Sequence, residues 1–422
     1  MDATTAAMWA ALGGRPGLVA GVTYRRAGDV LAARLPVRDF ARAAVGACSL
    51  AAAELLAARN GTPVPRVEVD EGAVAAAFVS ERHGGTTGFA PLSRFWRTAD
   101  GWVRTHANYP HHRDRLLTAL GAADDDPASV ERALAARRAV EVQEEVYAAG
   151  GLAVAVAAAP DPARYPLVTS RPTGHAKRLR PASLPAEGVR VLDLTRVLAG
   201  PVATRTLALL GADVLRVDPP HLPEDPATHA DTGRGKRSTL LDLDDPGDRR
   251  AFDALLDRAD VVVTGYRPGA LDRRGLAPRA LLDRNPGLVV ARLSAWGDRP
   301  GWAGRRGFDS LVQAGTGIAA VEGGPDRPGA LPAQALDHGT GYLLAAAVLR
   351  ALGEGGGHVE LSLAATASWL LHEVHRTPAA GGYDPGRWLS ETGALPPVRY
   401  DGAPATWGRA ATPWGGDEPE WL

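Results

Sequence analysis

Residues 191–218 read VLDLTRVLAGPVATRTLALLGADVLRVD, two short apolar β-like runs (VLDL and DVLRVD) on either side of a helix-period segment. The loop between the first run and the helix is small and open: Val197, Leu198, Ala199, Gly200 and Pro201. A strand, a Gly-Pro turn and a helix N-terminus put backbone N–H groups and the positive end of the helix dipole at the strand's carboxyl edge. That geometry suits a phosphate or a carboxylate. GxGxxG is absent, so the dinucleotide reading is weak, and an α/β crossover without a ligand is the alternative reading of this segment alone. Lys236 and Arg237 in GRGKRS form a basic turn that suits a phosphate contact or an exposed loop equally. Asp39 and Asp337 each stand just before an expected helix, where an aspartate is ordinarily an N-cap.

These residues need elements to position them. From Leu35 the chain reads LPVRDF, an Ala-rich helix to about Ala58, a Gly-Thr-Pro turn and a strand, RVEVD. From Leu331 it reads LPAQALDH, an Ala/Leu helix to about Leu352, a Gly-rich turn and a strand, HVELS. This is an internal repeat in which Asp39 matches Asp337. Between the copies, His83 to Tyr109 carries a Gly/Thr loop and two aromatic runs around an Ala-Asp-Gly turn, which predicts a hairpin. Phe95, Trp96 and Trp102 on it are read as core of a small unit rather than as an adenine platform. Strands and helices then alternate from Val189 to Leu293, which predicts a parallel, Rossmann-like sheet.

The expected fold class is α/β: a Rossmann-like large domain plus a smaller α+β domain. The expected divisions are an Asp-helix segment belonging to a large domain over 1–80, the small domain over 81–160, a linker over 161–188, the Rossmann-like domain over 189–375 and an irregular tail over 376–422.

The chain has 422 residues, enough for a substantial core. Its net charge of −1 gives no sign of a nucleic-acid or acidic-membrane partner. With one cysteine, Cys48, neither a disulfide nor a Cys-based metal site can form within one chain, and no metal is expected. No basic region precedes an apolar stretch at the start, and charged or Gly residues break the apolar runs short of the ~20 residues of a membrane span. A cytoplasmic protein is the expectation.

The segments VLDLTRVLAGP, LLGADVLRVD, GRGKRSTLLDLDDP, ADVVVTGYRPGALDRRGL, NPGLVVARLSAWG, RRGFDSLVQAGTG and the Asp337 helix resemble, in this order, the class III CoA-transferases. That family includes carnitine CoA-transferase, formyl-CoA transferase and α-methylacyl-CoA racemase. The resemblance is strong from about Val189 to Leu363 and looser over the hairpin and the tail PPVRYDGAPA. The order of parts departs from the family's, which runs from the Rossmann-like half through the Asp helix to the small domain. Here an Asp helix and the small domain come first, as if the rear of one module were fused ahead of the front of another.

The resemblance implies an aspartate that attacks an acyl-CoA thioester, forming a mixed anhydride and then an aspartyl-CoA thioester, before CoA passes to an acceptor carboxylate. It points to Asp337 as that nucleophile, with the N–H groups of His338, Gly339 and Thr340 at a helix start available to developing charge. Asp39, followed by bulkier residues, is the second candidate. For CoA the resemblance indicates Val197, Leu198 and Ala199, Arg273 and Arg306, and Lys236 is added as a phosphate contact. Pro219 and Gly265 stand where some relatives have a CoA-contacting Arg and an Asn. Gly84, Gly85 and Gly88 belong to a loop that in relatives closes over the site.

The resemblance also implies an interlocked homodimer. No permanent cofactor is implied, CoA and acyl-CoA being substrates alongside small carboxylates. Racemisation at an acyl-CoA α-carbon is the alternative reaction, but Gly307-Phe308-Asp309 has Phe where racemase relatives use a His. A CoA-binding protein without activity is the third reading.

Overall fold

In the computed structural model, which describes every residue except Met1, 84–87, 176–178 and Pro325, the first repeat copy supplies the helix and the second strand of a β-α-β unit. After helix α1 (Ala3–Ala11), strand β1 (Val22–Arg25) leads through the 24-residue helix α2 (Val37–Asn60) to strand β2 (Val67–Asp70), which pairs with β1 in parallel. Helix α3 (Glu71–Ala77) follows, capped by the Asp70 carboxylate. Among the described residues α2 is the one helix long and apolar enough to cross a membrane. Its most apolar window is 89% buried inside the protein, as expected of a core helix.

The aromatic runs form the predicted hairpin, with β3 (Phe95–Arg97) antiparallel to β4 (Trp102–Thr105) and Trp96 opposite Val103. Helices α4 (Pro110–Leu120), α5 (Pro127–Ala135) and α6 (Ala139–Ala148) cover it, and β5 (Ala153–Ala155) joins β4 as a third strand. Trp96 is buried in this unit's own core with Val103, Leu116, Val130, Leu134 and Val142, and its indole N–H donates to Thr105 Oγ1 at 2.8 Å. Phe95 and Trp102 are half-buried, and Phe95 turns toward the main core.

The remaining chain builds a seven-stranded sheet. Its strands are β6 (Thr169–Pro172), β7 (Arg190–Leu194), β8 (Asp213–Asp218), β9 (Arg237–Leu240), β10 (Val261–Thr264), β11 (Val289–Ser294) and β12 (Gly357–Ser362). They lie in the order β6-β12-β11-β10-β7-β8-β9, all parallel except β6. Counted from β7, the parallel strands follow the order 3-2-1-4-5-6 from the β9 edge, so the winding reverses between β7 and β10. Val191, Leu192, Val262 and Val290 are buried, because helices cover both faces of such a sheet. β6 is a correction to the expected linker over 161–188. Its four residues are all exposed and end in Pro172, so no alternation announces a strand, and only the free edge of β12 recruits it.

The crossover helices are α7 (Ala199–Leu209), α8 (Pro226–Thr232), α9 (Pro246–Leu256) and α10 (Pro278–Arg284), followed by α11 (Asp309–Gly315), α12 (Ile318–Glu322), α13 (Ala335–Glu354) and α14 (Leu363–His372). α13 packs on both α2 and α7. Glycine permits this: a Cβ on Gly339 would lie 2.3 Å from the Phe40 ring of α2, and one on Gly341 would lie 2.6 Å from the Ala199 carbonyl oxygen of α7. The tail is strapped down by indole N–H groups, Trp407 to the Ala394 carbonyl, Trp414 to Asp218 and Trp421 to the Leu255 carbonyl.

Candidate active site

β7 ends in Asp193, whose carboxylate organises the turn that follows. Oδ1 accepts from the Thr195 N–H at 3.0 Å, and Oδ2 accepts from Thr204 Oγ1 at 2.6 Å and Lys236 Nζ at 2.9 Å. Lys236 also donates to the Pro201 carbonyl at 3.0 Å and to Thr204 Oγ1. Burial opposes ionisation of Asp193, yet the Lys236 charge, Arg216 and the threonine hydroxyls hold it below the usual carboxylate range. Burial likewise lowers Lys236, to about 8, against the pull of Asp193. Lys236 is 1% exposed, which corrects its reading as a CoA contact: its cation is spent inside the fold, fixing the first turn of α7.

The turn itself differs from the open cradle expected of it. Val197 has φ +69°, a left-handed conformation unusual for a β-branched residue. Its N–H is not free but donates to Glu224 Oε2 at 3.1 Å. No side chain caps α7, so the Ala199 and Gly200 N–H groups of its first turn have no side-chain acceptor among the described residues, and Ala199 lines the cavity beyond.

That cavity, of about 760 Å³, opens at the carboxyl ends of β7 and β10, where the winding reverses. Val197, Leu198 and Ala199 form one wall, with the altered positions Pro219 and Gly265 beside them. Arg267, Arg273 and Arg274 come from the segment after β10, and Arg305, Arg306 and Phe308 from the segment after β11. Tyr109, His111, His112 and Arg115, around the start of α4, and Asp337 also line the cavity. The sequence-predicted residues Val197, Leu198, Ala199, Arg273, Arg306 and Asp337 are thus brought together. Arg115, Arg267 and the α4 residues were missed, since nothing local in their sequence marks them as facing a distant sheet.

Among the described residues no carboxylate lies within ion-pair distance of Arg115, Arg267, Arg273 or Arg306. Burial, then Arg267 and Arg115, lower the Arg306 guanidinium. A cluster of guanidinium groups with no carboxylate in direct ion-pair contact is what bidentate recognition of phosphates requires. The imidazoles are a different matter. Burial, together with neighbouring imidazoles and guanidinium groups, lowers His106 and His112 to about 3, so both are neutral near pH 7. The His106 ring stacks on Phe308 with centroids 3.9 Å apart and planes 3° apart.

Asp337 is not an N-cap: α13 begins at Ala335, which places Asp337 at the third helical position. The helix end is capped instead by Asp309, which accepts the Asp337 N–H on Oδ2 at 3.0 Å and also bonds the Leu336 N–H. The expectation that His338, Gly339 and Thr340 offer free N–H groups is corrected, because they lie within the helix and the His338 N–H already donates to the Gln334 carbonyl. The His338 side chain is fully buried and pairs with Glu81 at 3.0 Å. Burial, the Asp309 charge and Glu81 raise Asp337 well above the ordinary aspartate value. Burial also raises Asp309, to about 6, despite its hydrogen bonds.

Asp39 takes the same third helical position on α2 but is sealed away from the cavity. It is 1% exposed, accepts from the Thr377 N–H at 3.1 Å and hydroxyl at 2.6 Å, and lies 3.3 Å from Arg42. Gly88 has φ +73° and is not among the residues lining the cavity, while Gly84 and Gly85 lie outside the described residues. Among the described residues no group of three or more His, Cys, Asp or Glu is placed to hold a metal ion.

The profile of CoA-transferase family III matches residues 186–401, just over half the chain. The chain is 38% identical over 182 residues to a probable fatty acyl-CoA transferase of Mycobacterium tuberculosis, covering 40% of this chain and 46% of that protein. It is 37% identical over 155 residues to the acetyl-CoA:oxalate CoA-transferase of Acetobacter aceti, covering 34% and 40%. The chain therefore spans less than half the length of these curated relatives. A crystal structure of the Mycobacterium tuberculosis protein is 35% identical, with a TM-score of 0.41 over 44% of this chain and 56% of that one. On the match to its profile, the chain belongs to CoA-transferase family III.

Proposed function

We propose that the chain moves CoA between an acyl-CoA and a carboxylic acid, with Asp337 as the nucleophile in the cavity described above. In this reading an Asp337 carboxylate oxygen attacks the thioester carbonyl, and the CoA thiolate leaves to give a mixed anhydride. The thiolate then attacks the aspartyl carbonyl, releasing the donor acid and forming an aspartyl-CoA thioester. The acceptor carboxylate attacks that thioester and expels the CoA thiolate, giving a second mixed anhydride, and the thiolate finally attacks the acceptor's acyl carbonyl, releasing the Asp337 carboxylate. The phosphates of CoA would meet the uncapped first turn of α7 and the guanidinium groups of Arg273, Arg267 and Arg306.

The observation that carries the reading is Asp337 facing the same cavity as guanidinium groups that have no carboxylate partner. Six parallel strands wound in the Rossmann-like order supply the scaffold. The homodimer and cytoplasmic location belong to the proposal on the strength of the resemblance and composition. Light scattering tests the first.

The decisive experiment incubates the protein with a panel of acyl-CoAs and traps with borohydride or hydroxylamine. A modified Asp337 in the peptide map is the expected result. Failure to find any adduct at Asp337 across the panel, together with deuterium exchange at the acyl α-carbon, would replace transfer with racemisation. Phe308, at the position of the His in racemase relatives, cannot carry the proton that racemisation needs.

A further inference from the structure

Val197 is held where a valine would not rest by itself. Its φ of +69° brings Cβ against its own backbone, and such a conformation persists only when the surroundings fix it. Glu224, in the loop between β8 and α8, is in a position to do so. Its Oε2 accepts the Val197 N–H at 3.1 Å and faces Arg216 at 3.0 Å, while its Oε1 accepts the Tyr109 hydroxyl at 3.1 Å. Tyr109, the residue just before α4, also lines the cavity, and Arg196 places its guanidinium 5.8 Å from the Tyr109 ring centre. The Glu224 side chain is 1% exposed and Arg216 is fully buried. Burial opposes its charge, but Arg216 and Arg196 hold Glu224 ionised.

We infer that Glu224 is a positioning residue for the cavity: its carboxylate holds Val197 in the left-handed conformation and ties that turn to Tyr109 of the small unit. The inference rests on reading the cavity as the CoA site, because the turn so fixed is the one the CoA phosphates would meet. Neither oxygen of Glu224 is spare, so one group sets the shape of the turn and its spacing from Tyr109 together. Glycine at position 197 would adopt the same φ without support. It should therefore make the turn independent of Glu224.

The test compares wild type, E224A, Y109F, V197G and V197G/E224A in two measurements. One is the dissociation constant of CoA itself by calorimetry, and the other is amide hydrogen exchange over residues 195–202 of the free protein. Removing an acceptor of a buried N–H should weaken CoA binding at least about tenfold in E224A, and less in Y109F, with faster exchange in both. V197G/E224A should regain at least about threefold of the CoA affinity lost in E224A, because glycine restores the turn though not the tie to Tyr109, a recovery that a merely structural role would not produce. Y109F removes one hydroxyl and leaves every ion pair in place, so it carries the test if E224A does not fold. Unchanged exchange in E224A or Y109F, or no recovery in the double variant, would overturn the inference. Wild type that binds no CoA would refute the reading of the cavity instead, and the exchange data would still judge Glu224.

Discussion

Asp337 and Asp309 divide the chemistry between them at the scale of single residues. Asp309 uses its carboxylate to cap α13, which fixes the backbone of Asp337, and by its charge it makes Asp337 harder to ionise. D337N should lower turnover by about three orders of magnitude or more while CoA binding changes little, measured by steady-state kinetics and calorimetry. The pH dependence follows from the direction of the shift. A nucleophilic carboxylate must be charged, so kcat/KM should rise with pH through a limb well above the ordinary aspartate value of 3.8. D309N removes the like charge but not the burial, so the limb should move to lower pH and still remain above that value. A limb that stays in place or moves upward in D309N would contradict this electrostatic coupling.

Two close approaches govern the elements. α13 reaches α2 because Gly339 has no Cβ to meet the Phe40 ring. G339A should therefore destabilise the fold by about 1–3 kcal/mol in urea unfolding, with F40L partly relieving it. The first turn of α7 is fixed from beneath by Lys236 on Asp193, Thr204 and the Pro201 carbonyl. K236M would leave the Asp193 carboxylate buried without its cation, a loss of about 3–5 kcal/mol that D193N should partly restore. If K236M weakened CoA binding with no loss of stability, Lys236 would have to be a ligand after all.

Taken as a whole, the molecule has two related Asp helices, and the aspartate of one of them lines the cavity. Asp337 opens onto the cavity, whereas Asp39 is locked by Arg42 and Thr377 beneath the residues that follow α14. The small unit encoded before the large sheet supplies Tyr109, His111, His112 and Arg115 to the cavity, so the displaced order of parts is reconciled in space. Calorimetry should accordingly give one CoA per chain. D39N should leave that stoichiometry and the trapping at Asp337 unchanged, whereas two CoA per chain together with an adduct trapped at Asp39 would show a second working site.

The sequence by itself determined the kinds of element and their succession: the hairpin, the alternation of strand and helix, the repeat, and a Gly-Pro turn ahead of α7. Each is written in neighbouring residues, as periodicity or turn chemistry, and needs no distant partner to be legible. The candidates Asp337, Val197 and Arg273 came with the family's motifs. Only the tertiary structure decided which polar groups face the cavity. Lys236 reads as a surface cation until Asp193, 43 residues away in the chain, draws it inside. Asp309 becomes the cap of a helix 28 residues on, and Glu224 joins a turn 27 residues before it to a tyrosine 115 residues before it. A charged side chain can be buried only where an opposite charge or hydrogen-bond donor is waiting, and folding alone brings such partners together.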